Sequence, residues 1–241
     1  MKKLLFLLAL AALVQGVFAE EGDYEPVFTI GFEESEGYVL GDIADQQGWC
    51  RLNDRGTNEV IDADCYSGER SLHLFGTEFK AQKDFDLDNY QNLPTRLTFA
   101  FKPSGSFTRI SLYGSSVNDT IATMHIKCEE VATDTSGYCS KTGLGFDTLE
   151  WYECALYLDP ATKIISSFTM GEEVDFEYNE NQDRYRNYES AESGKIGGIL
   201  LYSNWNDESD SYIDNICISV VPEPAFLLFF ALGGLCLIRK Q

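Results

Sequence analysis

The sequence predicts an all-β chain that folds as a two-sheet antiparallel β-sandwich, with a sorting segment at each end. Three observations predict this fold. Short runs of alternating apolar and polar residues recur from residue 27 to residue 220, turn-forming Gly, Asn, Asp and Pro separate them, and no long stretch has the period of an amphipathic helix. Many short strands with this spacing favour a β-sandwich over other all-β architectures.

The alternating runs define the predicted strands in chain order. In most of the runs every second residue is apolar, as in Leu72, His73 and Leu74, so one face of the strand is expected to lie on the core. No internal repeat and no Ser/Gly-rich linker interrupts them, which predicts one domain over residues 20–220. The predicted strands are residues 27–32, 71–75, 96–101, 107–113, 122–126, 153–158, 196–202 and 212–220.

The charge balance restricts the partners of the chain. Its 241 residues include 39 acidic and 18 basic side chains, giving a formal net charge of -21. Binding to a phosphate backbone relies on clustered Lys and Arg, so the composition argues against a nucleic-acid partner. Hydrophobic residues at 44% and aromatic residues at 13% exclude a disordered chain.

The N-terminal residues 1–19 have the pattern of a secretory signal peptide. Lys2 and Lys3 precede an apolar run, and the segment ends in Val17-Phe18-Ala19, with small residues where signal peptidase needs them. Cleavage before Glu20 and export are therefore expected. The alternative is an uncleaved membrane anchor, for which the apolar run is short.

The C-terminal residues 221–241 form a second signal with three parts. Pro222-Glu223-Pro224 is followed by the apolar run 225–238 and then by Arg239 and Lys240. As a helix, this run would span about 21 Å, and the basic end would stay on the cytoplasmic side. The alternative is a buried terminal helix of the domain, which the apolar residues on every face disfavour.

This tail resembles the PEP-CTERM sorting signal of bacterial envelope and exopolysaccharide-associated proteins. The resemblance implies that an exosortase-type enzyme recognises the tail and cleaves near Pro222, Glu223 and Pro224. It also implies that the hydrophobic helix anchors the chain in the membrane before processing. The expected location is the bacterial cell envelope or the extracellular space.

Six of the seven cysteines lie in the predicted domain, an even number in a chain expected to leave the cytoplasm. Disulfides are the expected state, and sequence proximity favours pairing Cys50 with Cys65 and Cys128 with Cys139 across predicted turns. Cys154 would then pair with Cys217. A zinc site is the competing interpretation, but the sequence has no CxxC pair and only two histidines.

Several segments of the predicted domain resemble the concanavalin A-like (laminin-G-like) jelly rolls of exported bacterial proteins. The resemblance covers most of residues 27–220. It implies the fold more specifically than the function, because such domains include lectins, glycosidases, adhesion modules and structural domains. The expected role is a glycan-binding or structural module. The matching segments are Phe32-Glu33, Glu36-Gly37-Tyr38, Gly41, Gln47-Gly48-Trp49, Gly68 to Leu72, Trp151, Leu156 to Asp159, and Tyr212 to Ile216.

A possible catalytic motif occurs at Glu173, Asp175 and Glu177. On a strand, these carboxylates share one face and span roughly 6.6 to 7 Å, near the separation that a retaining glycosidase needs. The pattern resembles the catalytic strand of laminarinase- and lichenase-type glucanases, which implies Glu173 as nucleophile, Asp175 as its assistant and Glu177 as acid/base. Because the motif lies within an acidic run and only about 40 residues of the domain follow it, the chain is expected not to be an enzyme.

Two further sites are predicted. Glu33 on the first strand and Asp214 on the last are candidate ligands for a structural Ca²⁺, which takes six to eight oxygen ligands; the alternative is that Asp214 merely ends a turn. Trp205 in a polar loop and nearby Tyr202 are candidate platforms for extracellular polysaccharide. Trp151 is expected in the core, and His73 is expected to be a structural residue.

Overall fold

The computed structural model describes residues 24–53, 55–76, 80–90, 93–103, 108–117, 120–127, 130–135, 138–141, 150–159, 164–170, 175–177, 196–202 and 209–221. The strands among these residues form two sheets, and every pairing between them is antiparallel. Two short 3₁₀ helices, Glu34–Glu36 and Asp88–Tyr90, lie between strands.

Sheet A contains nine strands of the described part of the chain. Its order is β14-β13-β12-β7-β16-β5-β4-β2, and β1 pairs with the C-terminal half of β16. The strands are β1 (Glu25–Ile30), β2 (Gly41–Asp42), β4 (Thr57–Ile61), β5 (Ser71–Gly76), β7 (Thr95–Pro103), β12 (Tyr152–Asp159), β13 (Ile164–Met170), β14 (Asp175–Glu177) and β16 (Ser209–Val220).

Sheet B contains seven strands within the same described residues, in the order β11-β10-β9-β8-β15-β6-β3. They are β3 (Trp49–Arg51), β6 (Lys80–Asp84), β8 (Thr108–Tyr113), β9 (Thr120–Lys127), β10 (Glu130–Thr135), β11 (Tyr138–Lys141) and β15 (Gly198–Tyr202).

The connections make this sandwich a jelly roll. The chain repeatedly leaves one sheet for the other, as from β5 to β6 to β7 to β8. The last two strands then insert between earlier ones, β15 between β6 and β8 and β16 between β5 and β7. The predicted fold class, a two-sheet antiparallel β-sandwich, is confirmed, and each of the eight predicted strands coincides with an observed strand.

The core lies between the two sheets because apolar side chains alternate along the central strands. Leu72 and Leu74 of β5 and Phe99 and Phe101 of β7 are buried, each surrounded by other apolar side chains. Trp49 is also fully buried, and its indole Nε1–H donates to the Tyr38 hydroxyl oxygen over 3.1 Å. That hydrogen bond satisfies the polar end of a large buried ring.

The two predicted sorting segments, residues 1–19 and 222–241, lie outside the described residues. Within the residues that the structure describes, no helix is long and apolar enough to cross a membrane.

The disulfide prediction fails for the four cysteines whose side chains the structure describes: Cys50, Cys65, Cys154 and Cys217 are all free thiols. Cys154 lies opposite the core residue Phe99 and is buried, whereas Cys217 lies opposite Thr98, the next residue along β7. Because successive residues of a strand point to opposite faces, Cys154 and Cys217 are on different sides of sheet A and cannot be bridged.

The turn predicted between Cys128 and Cys139 is confirmed in its backbone, since β10 and β11 pair as a hairpin. Cys139 lies opposite Asp134 in that hairpin. Cys128 lies outside the described residues, so its predicted pairing with Cys139 stays a prediction.

Candidate functional site

The outer face of sheet A carries a row of aromatic side chains. On β5, Leu72 and Leu74 point into the core, so His73 and Phe75 point outward. Tyr212 of β16 lies directly opposite His73 in the sheet and shares this outer face. Trp151, just before β12, and Tyr66, in the loop before β5, extend the row. These five residues are called the aromatic strip.

The rings of the aromatic strip form a continuous chain of contacts. His73 and Tyr212 stack with centroids 4.6 Å apart and planes 11° from parallel, and Phe75 follows His73 at 5.8 Å. On the other side, Trp151 lies 6.4 Å from Tyr212, and Tyr66 lies 5.8 Å from Trp151. Tyr66 is 39% exposed and Phe75 is 42% exposed, so both ends of the strip are open to solvent.

Carboxylates and one ammonium group hold these rings in place. The Asp64 carboxylate accepts from Trp151 Nε1 at 3.1 Å and from Lys102 Nζ at 2.6 Å. Lys102 Nζ also lies 5.9 Å from the Tyr212 ring centroid, a cation–π contact.

Two other rings of the strip, His73 and Tyr66, have carboxylate partners of their own. His73 Nε2 is 2.7 Å from Asp210 Oδ1, and the Tyr66 hydroxyl donates to Glu153. Together with the contacts of Asp64, these bonds fix the orientation of the polar rings.

Asp64 and Tyr66 belong to the loop between β4 and β5, residues 62–70, called here the capping loop. Two carboxylates hold it. The Asp214 carboxylate accepts from the backbone N–H of Tyr66 at 3.1 Å and of Ser67 at 3.2 Å. The Glu33 carboxylate accepts from the backbone N–H of Glu69 at 2.9 Å and of Arg70 at 3.2 Å.

Both carboxylates stand next to residues with left-handed backbone. Phe32, before Glu33, has φ of 60°, and Asn215, after Asp214, has φ of 50°. The register of β16 against β7 shifts between Asp214 and Cys217, which is a β-bulge. Strained backbone of this kind persists where the surrounding structure requires it, here to direct the two carboxylates at the capping loop.

Burial changes the acidity of Asp214. Its side chain is fully buried, and this burial raises the pKa to about 6, with a smaller rise from the nearby Glu33 carboxylate. The three backbone N–H donors of Ser67, Asn215 and Tyr66 oppose the rise because they favour the charged form. Burial also raises the pKa of the Cys65 thiol in the capping loop.

Glu33 and Asp214, which the sequence predicted as a pair, thus both bind the capping loop. Their oxygens accept backbone N–H groups, which is the contact that the structure shows for them. Within the residues that the structure describes, no group of three or more His, Cys, Asp or Glu side chains is arranged to hold a metal ion. The structural Ca²⁺ stays a prediction.

The aromatic residues proposed from the sequence have different positions. Tyr202, at the end of β15, belongs to sheet B, and the Arg109 guanidinium lies 5.3 Å from its ring. Trp205 lies outside the described residues. Trp151, expected in the core, is half-buried at the surface and contacts the rings of Tyr66 and Tyr212. That expectation is wrong, because Trp151 precedes β12 rather than lying on its buried face.

The acidic motif lies partly within the described residues. Asp175 and Glu177 belong to β14, where they pair with Thr169 and Ser167 of β13, while Glu173 lies outside. Among the described strands of sheet A, β14 is at one edge, and β13, β12 and β7 separate it from β16 and β5, which carry most of the aromatic strip.

No protein-family model matches the sequence, and no curated protein is similar to it. Solved structures are similar in fold. The cellulose-induced protein Cip1 superposes with a TM-score of 0.51 at 12% identity, covering 75% of this chain and 96% of that one. The CBM22-1 xylan-binding domain of Paenibacillus barcinonensis Xyn10C has a TM-score of 0.42 at 14% identity, covering 83% and 97% of the two chains.

SCLam, a non-specific endo-β-1,3(4)-glucanase of family GH16, has a TM-score of 0.47 at 12% identity, covering 85% of this chain and 94% of that one. At such identities a similarity extends to the fold alone. The class that the topology defines is a jelly-roll β-sandwich.

Proposed function

We propose that this protein is an exported β-sandwich module that binds polysaccharide on the aromatic strip and does not cleave it. The observation that carries the proposal is the strip itself: a continuous row of five rings on an open sheet face, with polar partners that hold the rings in place. Sugar rings present apolar C–H faces and hydroxyl groups at their edges. A row of aromatic rings beside carboxylate acceptors provides a partner for each.

Affinity electrophoresis of the full-length protein in gels containing soluble β-glucans, xylans and the polysaccharide of the producing cell tests this proposal. Tyr66→Ala and Phe75→Ala should each weaken binding about tenfold, the usual effect of removing an aromatic anchor. Tyr90→Ala is the matched control, because Tyr90 is 36% exposed but lies in the 3₁₀ helix Asp88–Tyr90, where its backbone N–H donates to the Leu87 carbonyl.

Equal binding by the Tyr66→Ala, Phe75→Ala and wild-type proteins would overturn this assignment of the site. If no polysaccharide retains the protein while circular dichroism shows folded β-structure, the glycan-binding proposal is refuted and a structural role is left.

The second candidate function is a retaining glycosidase of the laminarinase or lichenase type. Its support is that Asp175 and Glu177 alternate on a strand of the same sheet as the aromatic strip. The test is an assay of newly formed reducing ends on the same polysaccharides. Release that disappears in Glu173→Gln would establish the glycosidase, whereas binding without release supports the module.

The sorting proposal follows from the ends of the sequence. Signal peptidase would remove residues 1–19, and an exosortase-type enzyme would cleave the tail near Pro222-Glu223-Pro224 after transient anchoring in the membrane. Mass spectrometry of the protein from its producing cells should find a chain that begins at Glu20 and ends near this tripeptide. An intact residue 241 on protein outside the cell would contradict the processing, and changing Glu223 to Ala should preserve the tail.

A further inference from the structure

We infer that the aromatic strip accepts uncharged polysaccharide and discriminates against acidic polysaccharide. This inference rests on the proposed function, because it names the chemical class of the glycan for the same site. It is argued from the charges that border the strip, from the contacts those charges already make, and from the charge of the whole chain.

Carboxylates border the strip along its length. Asp64 lies beside Trp151, Asp210 lies beside His73, and Glu153 lies beside Tyr66. On the neighbouring strand β4, Glu59 is directly opposite His73 in the register of the sheet. A polymer of uronic acids laid along the rings would bring its own carboxylates next to these groups. Like charges in contact oppose binding, and the net charge of -21 adds a long-range repulsion.

Lys102, a basic side chain that contacts the strip, is not positioned to offset this repulsion. Lys102 Nζ is bound to Asp64 at 2.6 Å, and its side chain is only 17% exposed. To reach an acidic sugar, the ammonium group would have to leave both Asp64 and the Tyr212 ring. Breaking a partly buried ion pair without replacing Asp64's partner is unfavourable.

The same contacts leave room for an uncharged polymer at the carboxylates. The carboxylates of Asp64, Asp210 and Glu153 each accept a hydrogen bond from a side chain of the strip. The rings at the two ends of the strip are accessible, since Tyr66 and Phe75 are about two-fifths exposed. Hydroxyl groups can donate to the remaining lone pairs of the carboxylates without displacing these bonds.

The experiment offers each polysaccharide backbone of the binding panel in three forms, unmodified, carboxymethylated and diethylaminoethylated, to the full-length protein in affinity gels. The unmodified form should be retained at least about tenfold more strongly than the carboxymethylated form. Its retention should be the same in 50 mM and 300 mM NaCl, because ring stacking is not screened by salt.

A charge-removal pair tests whether the carboxylates of the strip cause the discrimination. Glu153→Gln should raise retention of the carboxymethylated form relative to the unmodified one. Glu25→Gln is the control, because it removes the same charge from an exposed residue of β1 that pairs with Val220 at the far end of β16. It should change the retention of neither the carboxymethylated nor the unmodified form.

The outcomes separate the two proposals. Retention of the carboxymethylated form as strong as that of the unmodified form, or salt-sensitive retention of the cationic form alone, would overturn the inference and leave glycan binding intact. Equal responses of Glu153→Gln and Glu25→Gln would assign any discrimination to total charge and overturn the role of the strip. Retention of no backbone in any form would overturn the proposed function itself.

Discussion

Asp214 connects the middle of β16 to the capping loop, because its buried carboxylate accepts the backbone N–H groups of Tyr66 and Ser67. Its pKa is raised by burial to about 6, so the folded state binds a proton more tightly than the unfolded chain does. A raised pKa contributes stability that is complete below the unfolded value near 3.8 and is lost as the pH rises through about 6.

Asp214→Asn should therefore lose less stability, relative to wild type, at pH 7 than at pH 4. The difference between the two comparisons should be up to about 3 kcal/mol, from a shift of about two pKa units. Urea denaturation of both proteins at each pH measures it. Asp84→Asn is the control of opposite sign, since a hydrogen bond from Tyr113 lowers the pKa of Asp84. If the difference in unfolding free energy between Asp214→Asn and wild type is the same at pH 4 and pH 7, the raised pKa of Asp214 is refuted.

A second residue, Gly68, shows how closely the capping loop fits its support. Gly68 has φ of 69°, and a Cβ at this position would collide with the Glu33 carboxylate. Gly68→Ala should destabilise the protein by about 2 to 4 kcal/mol, because the left-handed backbone and the collision both oppose Ala. It should also weaken polysaccharide binding by displacing Tyr66.

Gly41→Ala is the matched control for this substitution. Gly41 also has positive φ, 109°, but a Cβ there would meet nothing within 4 Å. Gly41→Ala should lose only the stability that the positive φ costs an alanine, and it should leave polysaccharide binding unchanged. Thermal denaturation and affinity gels measure both variants, and equal loss of stability in the two would show that the Glu33 contact does not constrain the loop.

Among the elements, strands with apolar alternation were predictable and the others were not. Leu72 and Leu74, or Leu97, Phe99 and Phe101, identify a strand because alternate positions are buried. β6 has no such pattern: its inward position Lys83 is a lysine, which lies in the core with its ammonium group donating to the Gln47 carbonyl. Tertiary packing, not local alternation, makes that segment a strand.

The candidate site was harder to predict than the strands, for a reason of topology. The aromatic strip combines β5, β16, the capping loop and the residue before β12, which lie far apart in the chain. Alternation indicates that His73 and Phe75 face away from the core, but it does not show that β16 inserts beside β5. Glu33 and Asp214 were predicted as a pair because resemblance to a jelly roll supplies that strand order.

For the whole molecule, the free thiols of the structure conflict with the expected export of the chain. Export would place the chain in an oxidising compartment, where disulfides persist. The structure nevertheless places Cys154 in the core and Cys217 on the opposite side of sheet A, and leaves Cys50 and Cys65 unpaired. The fold is therefore expected to be stable without a bridge among these four residues, supported by the core between the sheets.

Alkylation with N-ethylmaleimide tests this expectation on protein taken from its producing cells without reductant. After denaturation, at least four thiols should react, adding four reagent masses or more. In the native protein, Cys50 should react fast because it is exposed, while Cys154 should be protected, since burial excludes the reagent and raises the pKa of its thiol. Fewer than four reactive thiols after denaturation would mean that the exported chain forms a bridge involving at least one of these four cysteines, and would contradict the expectation.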